Sequence, residues 1–272
     1  RCLTPDFRVL DEAEAQLLRE RALERTMETF YQDIENGDEE AAQLAGTLGA
    51  GRDDRALTAL VLELHSKIQS HPYPEKWLRA AAESWRQLPS SLADSDYGRT
   101  VMEDTVRRAL FWAGQLERAV AAMEDCEPVY KANAAQFLAA AAELRRYEQA
   151  SQEGWDAMGR VQPVLQRAGA VKNGENDEAK AAAKAVREKY KKAKEEMTAP
   201  YLVTEREHLE DLQAAAPSML ALLRLTERFS QRYQAEKVRR NAMDFSDQEH
   251  YAVTLLCGQG DEPTDLARQV SQ

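Results

Sequence analysis

The chain has 272 residues, of which 43% are hydrophobic and 31% are charged, and its formal net charge is −11. This length allows one large domain or two modest ones. So acidic a chain excludes non-specific DNA binding by its whole surface, because phosphate binding depends on Lys and Arg. A nucleic-acid role would therefore need a local basic patch.

The cysteines argue against a disulfide framework, because Cys2, Cys126 and Cys257 are odd in number and far apart. This pattern is typical of a reducing compartment. No apolar run approaches the length needed to cross a bilayer, and no signal peptide is recognisable, so we expect a cytoplasmic protein without a membrane partner. The chain begins at Arg1 rather than Met, as expected of a piece of a longer protein.

The first segment of the chain predicts helices that are delimited by caps and glycine. Asp11 with Glu14 three residues later forms a potential capping box. The helix that follows is predicted to run to about Asn36, and Gly37 is predicted to end it. A short Ala-rich helix is predicted over roughly 38–45.

Gly46–Gly51 has the glycine spacing of a phosphate loop. Arg52 and Asp53 follow where Lys and Ser or Thr should stand, and no apolar strand precedes the glycines, so we interpret this segment as a turn. The sequence contains no complete phosphate loop and no Walker B acidic run. The chain by itself is therefore not expected to hydrolyse ATP.

Two predicted helices carry apolar stripes at helical spacing. The first stripe consists of Leu57, Leu60, Val61, Leu64 and Ile68. The second follows Pro74 and consists of Trp77, Leu78, Ala81 and Trp85. Because both stripes are one-sided and regular, we interpret them as core and not as a base-stacking platform.

The rest of the chain also predicts helices, and strands are not expected because β-branched runs are rare. The predicted helices are 99–126, 128–168 with a break near Gly154 or Pro163, 178–198, 202–214 and 217–241. The predicted fold is all-α, an antiparallel multi-helix domain over 1–257 with a protruding helical hairpin at 165–200 and no significant sheet. Residues 258–272 are predicted to be a polar tail.

A charged stretch near the end of the chain predicts a junction between two helices. Met243 and Phe245 are apolar anchors among charged neighbours. Ser246 or Asp247 can cap the next helix, predicted from Tyr251 to Cys257, through a side-chain oxygen.

Two acid–x–x–His pairs raise the possibility of a ferritin-type metal enzyme. The pairs are Glu205 with His208 and Asp247 with His250. On helices, each pair would share one face, but such a site needs further carboxylates from facing helices. We therefore favour surface polar residues and predict no metal site.

Other titratable residues are interpreted as structural. His65 and His71 flank a predicted helix end, where the negative end of the helix dipole favours a histidine. Cys126 would need a nearby base to act as a nucleophile, and the sequence does not place one, so a buried structural cysteine is favoured. The sequence therefore predicts no catalytic residue in this chain.

One predicted helix carries a basic stripe that recurs at i, i+4, i+7, i+11 and i+14. Its members are Lys180, Lys184, Arg187, Lys191 and Lys194. They would line one helix face for about four turns. From 180 to 194 there are seven basic residues and one acid, Glu188, which is a net charge of +6 and leaves −17 for the rest of the chain. Both a solvated helix face and a phosphate-binding face fit this pattern.

Three motifs carry a resemblance to a known family. The segment Lys-x-x-x-x-x-Met-Asp-Phe-Ser-Asp-x-Glu-His, which begins at Lys237, resembles the stretch of UvrD/Rep-like helicases that leads back into the first ATPase domain. Its Phe-Ser-Asp-x-Glu-His part is most similar to the AddA subunit of the AddAB helicase–nuclease, which usually has Leu in place of Gln248. Pro5–Glu12 and Ser70–Leu78 also resemble AddA, in the family's order.

The resemblance implies that the chain is the inserted, 1B-type helical accessory domain of such a protein, with a non-catalytic, DNA-guiding role in double-strand break repair and recombination. Asp244, Phe245, Asp247 and Glu249 would be the family-motif junction. The parent protein would be a bacterial, ATP- and Mg-dependent helicase and exonuclease that binds a duplex DNA end and an AddB-like subunit. In related helicases the inserted domain faces the incoming duplex, so the basic stripe would be the DNA contact. A stand-alone helical protein-interaction module without a DNA role remains the alternative.

Overall fold

The computed structural model describes residues 4–49, 54–172, 177–257 and 262–271. Its elements, in chain order, are β1 (Arg8–Val9), α1 (Glu12–Glu35), α2 (Glu39–Gly49), α3 (Arg55–Gln69), α4 (Pro74–Arg86), α5 (Asp96–Ala121), α6 (Glu127–Glu153), α7 (Trp155–Arg160), α8 (Asp177–Thr198), α9 (Glu205–Arg239), β2 (Ala242–Met243), α10 (Phe245–Cys257) and α11 (Asp265–Val270). Short 3₁₀ turns lie at Leu92–Asp94 and Ala199–Leu202. The predicted all-α class is confirmed. Within the described residues, every helix is too short or too polar to span a lipid bilayer.

The chain divides into two compact units. Unit 1 comprises Arg1–Leu88 together with Gln213–Gln272, and unit 2 comprises Pro89–Leu212. Each unit has its own buried apolar cluster. The boundaries between the two units fall inside the range 1–257 that was predicted as one domain.

The core of unit 1 is built from α1, α2, α3 and the second half of α9. Its largest buried side chains include Leu18, Phe30, Leu57, Val61, Phe229 and Tyr233. The first predicted apolar stripe is thus confirmed as core. A smaller cluster adds Ile68, Leu78 and Leu223, with Trp77 and Trp85 packed against it, so the second stripe also packs as predicted.

The ends of the first helices follow their capping signals. The Asp11 carboxylate accepts a hydrogen bond from the Glu14 backbone N–H at 2.8 Å, so the predicted N-cap of α1 is confirmed. The Glu14 side chain pairs with Arg8, so it does not complete the capping box. Gly37, with φ of +97°, ends the helix because L side chains rarely adopt this conformation.

A two-stranded parallel sheet joins the start of unit 1 to the end of α9. Arg8 pairs with Ala242 and Val9 pairs with Met243. The Leu10 backbone N–H donates to the Met243 carbonyl oxygen at 2.9 Å. With two residues in each strand, this ladder agrees with the expectation of no significant sheet.

Unit 2 is organised around α5 and α6, which run antiparallel across a short connection. Small residues line their contact: Ala109, Ala113, Ala140 and Ala141 are all buried. Alanine on both faces lets the two backbones approach closely. The Arg145 guanidinium and the Glu117 carboxylate form a two-pronged ion pair between the two helices.

Gly154 breaks the long helix that the sequence predicted over 128–168. Its φ is +108°, and α6 ends there as one of the two predicted breaks. The short helix α7 follows, and residues 161–172 are irregular. The predicted helix over 161–168 was wrong because Pro163 lacks a backbone N–H and disfavours helix in the residue before it.

Residues 165–200, predicted as a protruding hairpin, pack against unit 2 along much of their length. Ala183, Tyr190 and Met197 of α8 are buried in the unit 2 core, with Val171 packed against it. The spacing of seven residues between the buried side chains places them on one face of α8. The helix itself agrees with the predicted span 178–198.

One continuous helix, α9, replaces the two helices predicted over 202–214 and 217–241. Pro217 lies inside it. A proline removes one helical hydrogen bond, which usually interrupts a helix. Here Ala216, Ala221 and Leu222 are buried in unit 1, and the Gln43 side chain donates to the Ala214 carbonyl oxygen at 2.9 Å. Tertiary packing therefore overrides the local signal.

The glycine-rich segment was also interpreted wrongly in part. Gly46 to Gly49 belong to α2 and not to a turn, because Ala41 and Leu44 anchor this helix in the unit 1 core. Residues 50–53 lie outside the described part of the chain. The predicted polar tail contains the short helix α11. Residues 258–261 and 272 of this tail also lie outside the described part of the chain.

Candidate functional site

The family-motif junction is centred on a buried ion cluster. Lys237, in the last turns of α9, is only 3% exposed. Its Nζ lies 2.9 Å from Asp244 Oδ2 and 2.7 Å from Asp247 Oδ2. A buried ammonium needs such partners, because an unpaired charge in the interior is strongly unfavourable.

The two aspartates also cap α10 reciprocally. Asp244 Oδ1 accepts from the Asp247 backbone N–H at 2.9 Å, and Asp247 Oδ2 accepts from the Asp244 backbone N–H at 3.0 Å. This is the geometry of a capping box with aspartate at both positions. The predicted cap, Ser246 or Asp247, is therefore corrected to Asp244, and α10 starts at Phe245 instead of Tyr251.

One aromatic residue, Tyr233, packs against this cluster. The Tyr233 hydroxyl donates to Asp244 Oδ2 at 2.9 Å, and the Lys237 Nζ lies 4.4 Å from the Tyr233 ring centroid. Burial and the Asp244 charge raise the pKa of Tyr233. Burial opposes ionisation of Asp244, but the Lys237 charge together with the hydrogen bonds that the carboxylate accepts outweighs it, so the pKa of Asp244 is lowered. For Asp247, burial prevails and raises the pKa.

His65 lies in the same region and not at a helix end. Its Nδ1 is 2.8 Å from Ser230 Oγ, and its ring packs edge-on against Phe229. Burial, followed by the Lys237 charge, lowers the pKa of His65 to about 4. The capping interpretation of His65 was therefore wrong, because its apolar surroundings keep the ring neutral. His71 stacks on Trp77 with ring centroids 5.2 Å apart.

The two residues predicted as apolar anchors of the junction differ in solvent exposure. Met243 is buried in β2, whereas Phe245 is 66% exposed at the first turn of α10. Glu249, one turn further on, is also exposed. The exposed apolar residues of α10 are Phe245, Tyr251, Leu255 and Leu256. We call these four residues the α10 apolar surface.

The basic stripe follows α8, and its members differ in exposure. Lys184 and Lys191 are exposed, and Lys180, Arg187 and Lys194 are half-buried. At 100° per residue, the stripe lies beside the packed face of α8, and Arg187 and Lys194 are its members nearest to that face. The Arg187 guanidinium is engaged within unit 2, since its Nε donates to Asn133 Oδ1 at 2.9 Å.

The lysines of α8 contrast with several arginines of unit 2. Arg99, Arg107, Arg108, Arg145 and Arg146 are all paired with Asp or Glu. Among the described residues, Lys184, Lys191 and Lys194 form no ion pair, and neither do Lys189 and Lys192 elsewhere on the helix. This helix therefore presents positive charge that unit 2 does not neutralise.

The residues of the acid–x–x–His pairs form hydrogen bonds that hold the fold together. The Glu205 carboxylate accepts from the Leu92 backbone N–H at 2.6 Å, and His208 Nε2 lies 3.2 Å from the Pro200 carbonyl oxygen. His250 Nε2 lies 3.1 Å from the His71 carbonyl oxygen. No group of three or more His, Cys, Asp or Glu in the described part of the chain is placed to hold a metal ion.

The cysteines form no site within the described residues. Cys126 and Cys257 are half-buried and unbridged. Cys126 is packed against the unit 2 core, which agrees with a structural cysteine. Cys2 lies outside the described residues.

Sequence reasoning missed the central residues of the junction. Tyr233 was not singled out, and Lys237 was noted only as the first residue of the motif, because lysine in a charged stretch is normally a surface residue. A usable signal was present: Tyr233 and Lys237 are four residues apart on α9 and share a face with the buried Phe229.

Fold and sites together define an all-helical segment with a buried ionic junction and a lysine-bearing helix. No family model matches the chain. Its relatives include the AddA subunit of the ATP-dependent helicase/nuclease from Acetivibrio thermocellus, 30% identical over 275 residues that cover 93% of this chain and 21% of that protein. The AddA protein of Desulforudis audaxviator is 30% identical over 271 residues, covering 96% of the chain and 21% of that protein.

A third relative, the AddA protein of Ruminiclostridium cellulolyticum, is 26% identical over 265 residues that cover 93% of the chain. The chain is thus homologous to a segment of the AddA subunit of ATP-dependent helicase/nucleases, and the family resemblance predicted from the three motifs is confirmed. It spans about a fifth of the length of the curated relatives it matches.

Proposed function

We propose that this chain is the helical accessory segment of an AddA-type helicase/nuclease protein and that it guides duplex DNA without carrying out catalysis. Its homology to a segment of such proteins supports this role. ATP and Mg²⁺ would bind elsewhere in the longer protein. The longer protein would act on a duplex end in double-strand break repair, in the bacterial cytoplasm and together with an AddB-like subunit.

The observation that carries the proposal is the unneutralised lysine surface of α8. Elsewhere in unit 2, Arg99, Arg107 and Arg145 are paired with acids and so have less attraction left for phosphate. Lys184 and Lys191 are exposed and have no acid partner among the described residues. Seven residues correspond to roughly 10 Å along a helix, so the two ammonium groups can reach separate phosphates.

The α10 apolar surface supports membership of a larger assembly. Phe245 follows directly after the half-buried Asp244, and reciprocal capping fixes the start of its helix. A large aromatic that is held in place yet exposed is typical of a contact site. In the proposed function, this surface packs against the ATPase part of the longer protein.

A matched pair of double variants tests the DNA role. Lys184→Ala/Lys191→Ala removes two charges from the stripe, and Lys189→Ala/Lys192→Ala removes two exposed charges from other faces of the same helix. Affinity for a duplex end, measured at low salt in a longer protein that contains this segment, should fall in the first variant and change less in the second. Equal losses would indicate a general charge effect, and no loss in either would reject the DNA role.

The alternative function is a stand-alone helical protein-interaction module. The α10 apolar surface favours it, because exposed Phe245 and Leu255 fit a protein partner as well as a neighbouring domain. The two functions differ in their dependence on α8. An interaction module would be impaired by Phe245→Ala and would be indifferent to loss of the α8 lysines.

A further inference from the structure

Arg187 differs from its neighbours in the basic stripe in where its charged group lies. Its Nε donates to Asn133 Oδ1 at 2.9 Å, and its Nη1 donates to the Gln166 carbonyl oxygen at 2.6 Å. We propose that Arg187 is a positioning residue that fixes α8 on unit 2, whereas Lys184, Lys191 and Lys194 contact phosphate. This inference rests on the proposed function and divides four of its five candidate residues into two roles.

The Asn133 side chain, which accepts a hydrogen bond from Arg187, is held in position by a second hydrogen bond of its own. Asn133 is 4% exposed, and its Nδ2 donates to the Val129 carbonyl oxygen at 2.9 Å, which directs its Oδ1 towards the guanidinium. The guanidinium carbon lies 5.1 Å from the ring centroid of Phe137, which is fully buried. A cation over an aromatic face is held by the ring quadrupole as well as by its hydrogen bonds.

The guanidinium is also partly withdrawn from water. Its Nη2 is buried and has no hydrogen-bond partner in the described part of the chain. Burial lowers the pKa of Arg187, although the group remains charged. Arg187 already uses two donors within unit 2 and its Nη2 is buried away from solvent, whereas Lys184 and Lys191 are exposed and can reach a phosphate without breaking an ion pair to any described residue.

Arg187 joins three parts of unit 2. One turn further along α8, the Tyr190 hydroxyl donates to the Pro163 carbonyl oxygen at 2.5 Å. Because residue 190 meets residue 163 and residue 187 meets residue 166, the irregular segment 161–172 runs antiparallel beside α8. The Gly169 backbone N–H donates to the Ala132 carbonyl oxygen on α6 at 2.8 Å. Arg187 therefore ties α8 to both α6 and this segment.

Arginine is the residue that this role requires. Its planar guanidinium offers donors in two directions at once, so it can bind the Asn133 amide and the Gln166 carbonyl together. A lysine ammonium is a compact charge on a flexible stem and would not keep both contacts with the same geometry. Arg187→Lys therefore conserves the charge while removing the positioning function.

The first test is hydrogen exchange of the 272-residue chain. In Arg187→Ala, amides in 161–172 and in the first half of α8 should exchange about tenfold faster or more, because charge-assisted hydrogen bonds restrain their opening. Arg187→Lys should also speed exchange, whereas Lys189→Ala, which removes an exposed charge, should not. Wild-type exchange in Arg187→Ala would overturn the inference.

The second test is DNA affinity against salt in a longer protein that contains this segment. Arg187→Ala and Arg187→Lys should lower affinity at every salt concentration with the slope unchanged, because the same lysines still meet phosphate. A fall in slope magnitude of ~0.9 in Arg187→Ala, rescued fully in Arg187→Lys, would overturn the inference and identify Arg187 as a phosphate ligand. An unchanged slope in Lys184→Ala/Lys191→Ala would instead overturn the proposed function, and hydrogen exchange would still decide the role of Arg187.

Discussion

Lys237 Nζ lies 2.7 Å from Asp247 Oδ2, and both side chains are buried at the point where the chain turns from α9 into α10. The same ammonium group contacts Asp244, so one cation neutralises part of a two-carboxylate cluster. This contact holds the capped start of α10, and with it Phe245, in place. It links the family motif directly to the local fold.

Replacing Lys237 should be among the most damaging single changes in unit 1. Lys237→Met leaves the buried Asp247 and the half-buried Asp244 without their cation and should destabilise the chain by ~3–5 kcal/mol. Denaturant unfolding measures the loss. Arg206→Met is the control on the same helix, because Arg206 forms an exposed pair with Glu210 and such pairs contribute little. Equal effects of the two substitutions would contradict the central role of Lys237.

His65 should make stability depend on pH in a defined window. Its pKa in the folded chain is lowered to about 4, by burial first and then by Lys237, with Asp244 acting in the opposite direction and Arg19 in the same direction as Lys237. In the unfolded chain, the ring binds a proton near pH 6.5. Stability from this group is therefore complete above about pH 6.5 and is lost as pH falls towards 4, by up to about 3 kcal/mol.

The variant His65→Gln isolates this contribution, because glutamine can still hydrogen-bond Ser230 but does not titrate. We expect the difference in unfolding free energy between the wild-type chain and this variant to shrink as pH falls from about 6.5 to about 4. A difference that stays constant over this window would show that His65 is protonated equally in both states.

Two glycines should respond to alanine in opposite directions. Gly154 has φ of +108°, so Gly154→Ala forces an L residue into a conformation that costs about 1–3 kcal/mol. Gly46 lies inside α2, and nothing stands within 4 Å of the position where a Cβ would be added, so Gly46→Ala should stabilise the chain by about 0.5–1 kcal/mol. Melting temperatures that shift in the same direction would contradict these assignments.

Phe245 should matter more in a longer protein than in this chain. The Phe245 side chain is 66% exposed and makes few packing contacts in this chain, so Phe245→Ala should change the chain's stability only slightly. The buried Met243 is the matched control, and Met243→Ala should cost ~2–5 kcal/mol. In a protein that also contains the ATPase part, Phe245→Ala should cost ~3–5 kcal/mol if a pocket covers the ring. A slight loss in both proteins would remove the anchor hypothesis.

Local signals predicted most helices well but misled where tertiary packing decides. Gly37 and Gly154 mark real helix ends because a glycine backbone adopts positive φ without steric cost. Two helices were predicted over 202–214 and 217–241, yet buried neighbours on α9 carry one helix through Pro217. Sequence patterns describe one helix or strand at a time, so they do not include the packing contacts that another element provides.

The same limit applies to the candidate sites. Spacing correctly placed Lys184 and Lys191 on one face of α8, because periodicity alone determines this. Periodicity does not distinguish an exposed lysine from Arg187, whose partners Asn133 and Gln166 are far away in sequence. Similarly, the buried Lys237 is neutralised by Asp244 and Asp247, which lie beyond the end of α9. Long-range partners, and not composition, determine which charged groups are available for binding.

The most direct test of the DNA-guiding role is a salt titration of duplex-end binding by a longer protein that contains this segment. The variant Lys184→Ala/Lys191→Ala/Lys194→Ala should lower the magnitude of the slope of log affinity against log salt by ~0.9 for each phosphate that is no longer bound, and equally for all DNA sequences. The α8 helix should persist, because alanine is the best helix former. Wild-type and variant lines that coincide over the whole salt range would contradict the account and leave these lysines as a solvated helix face.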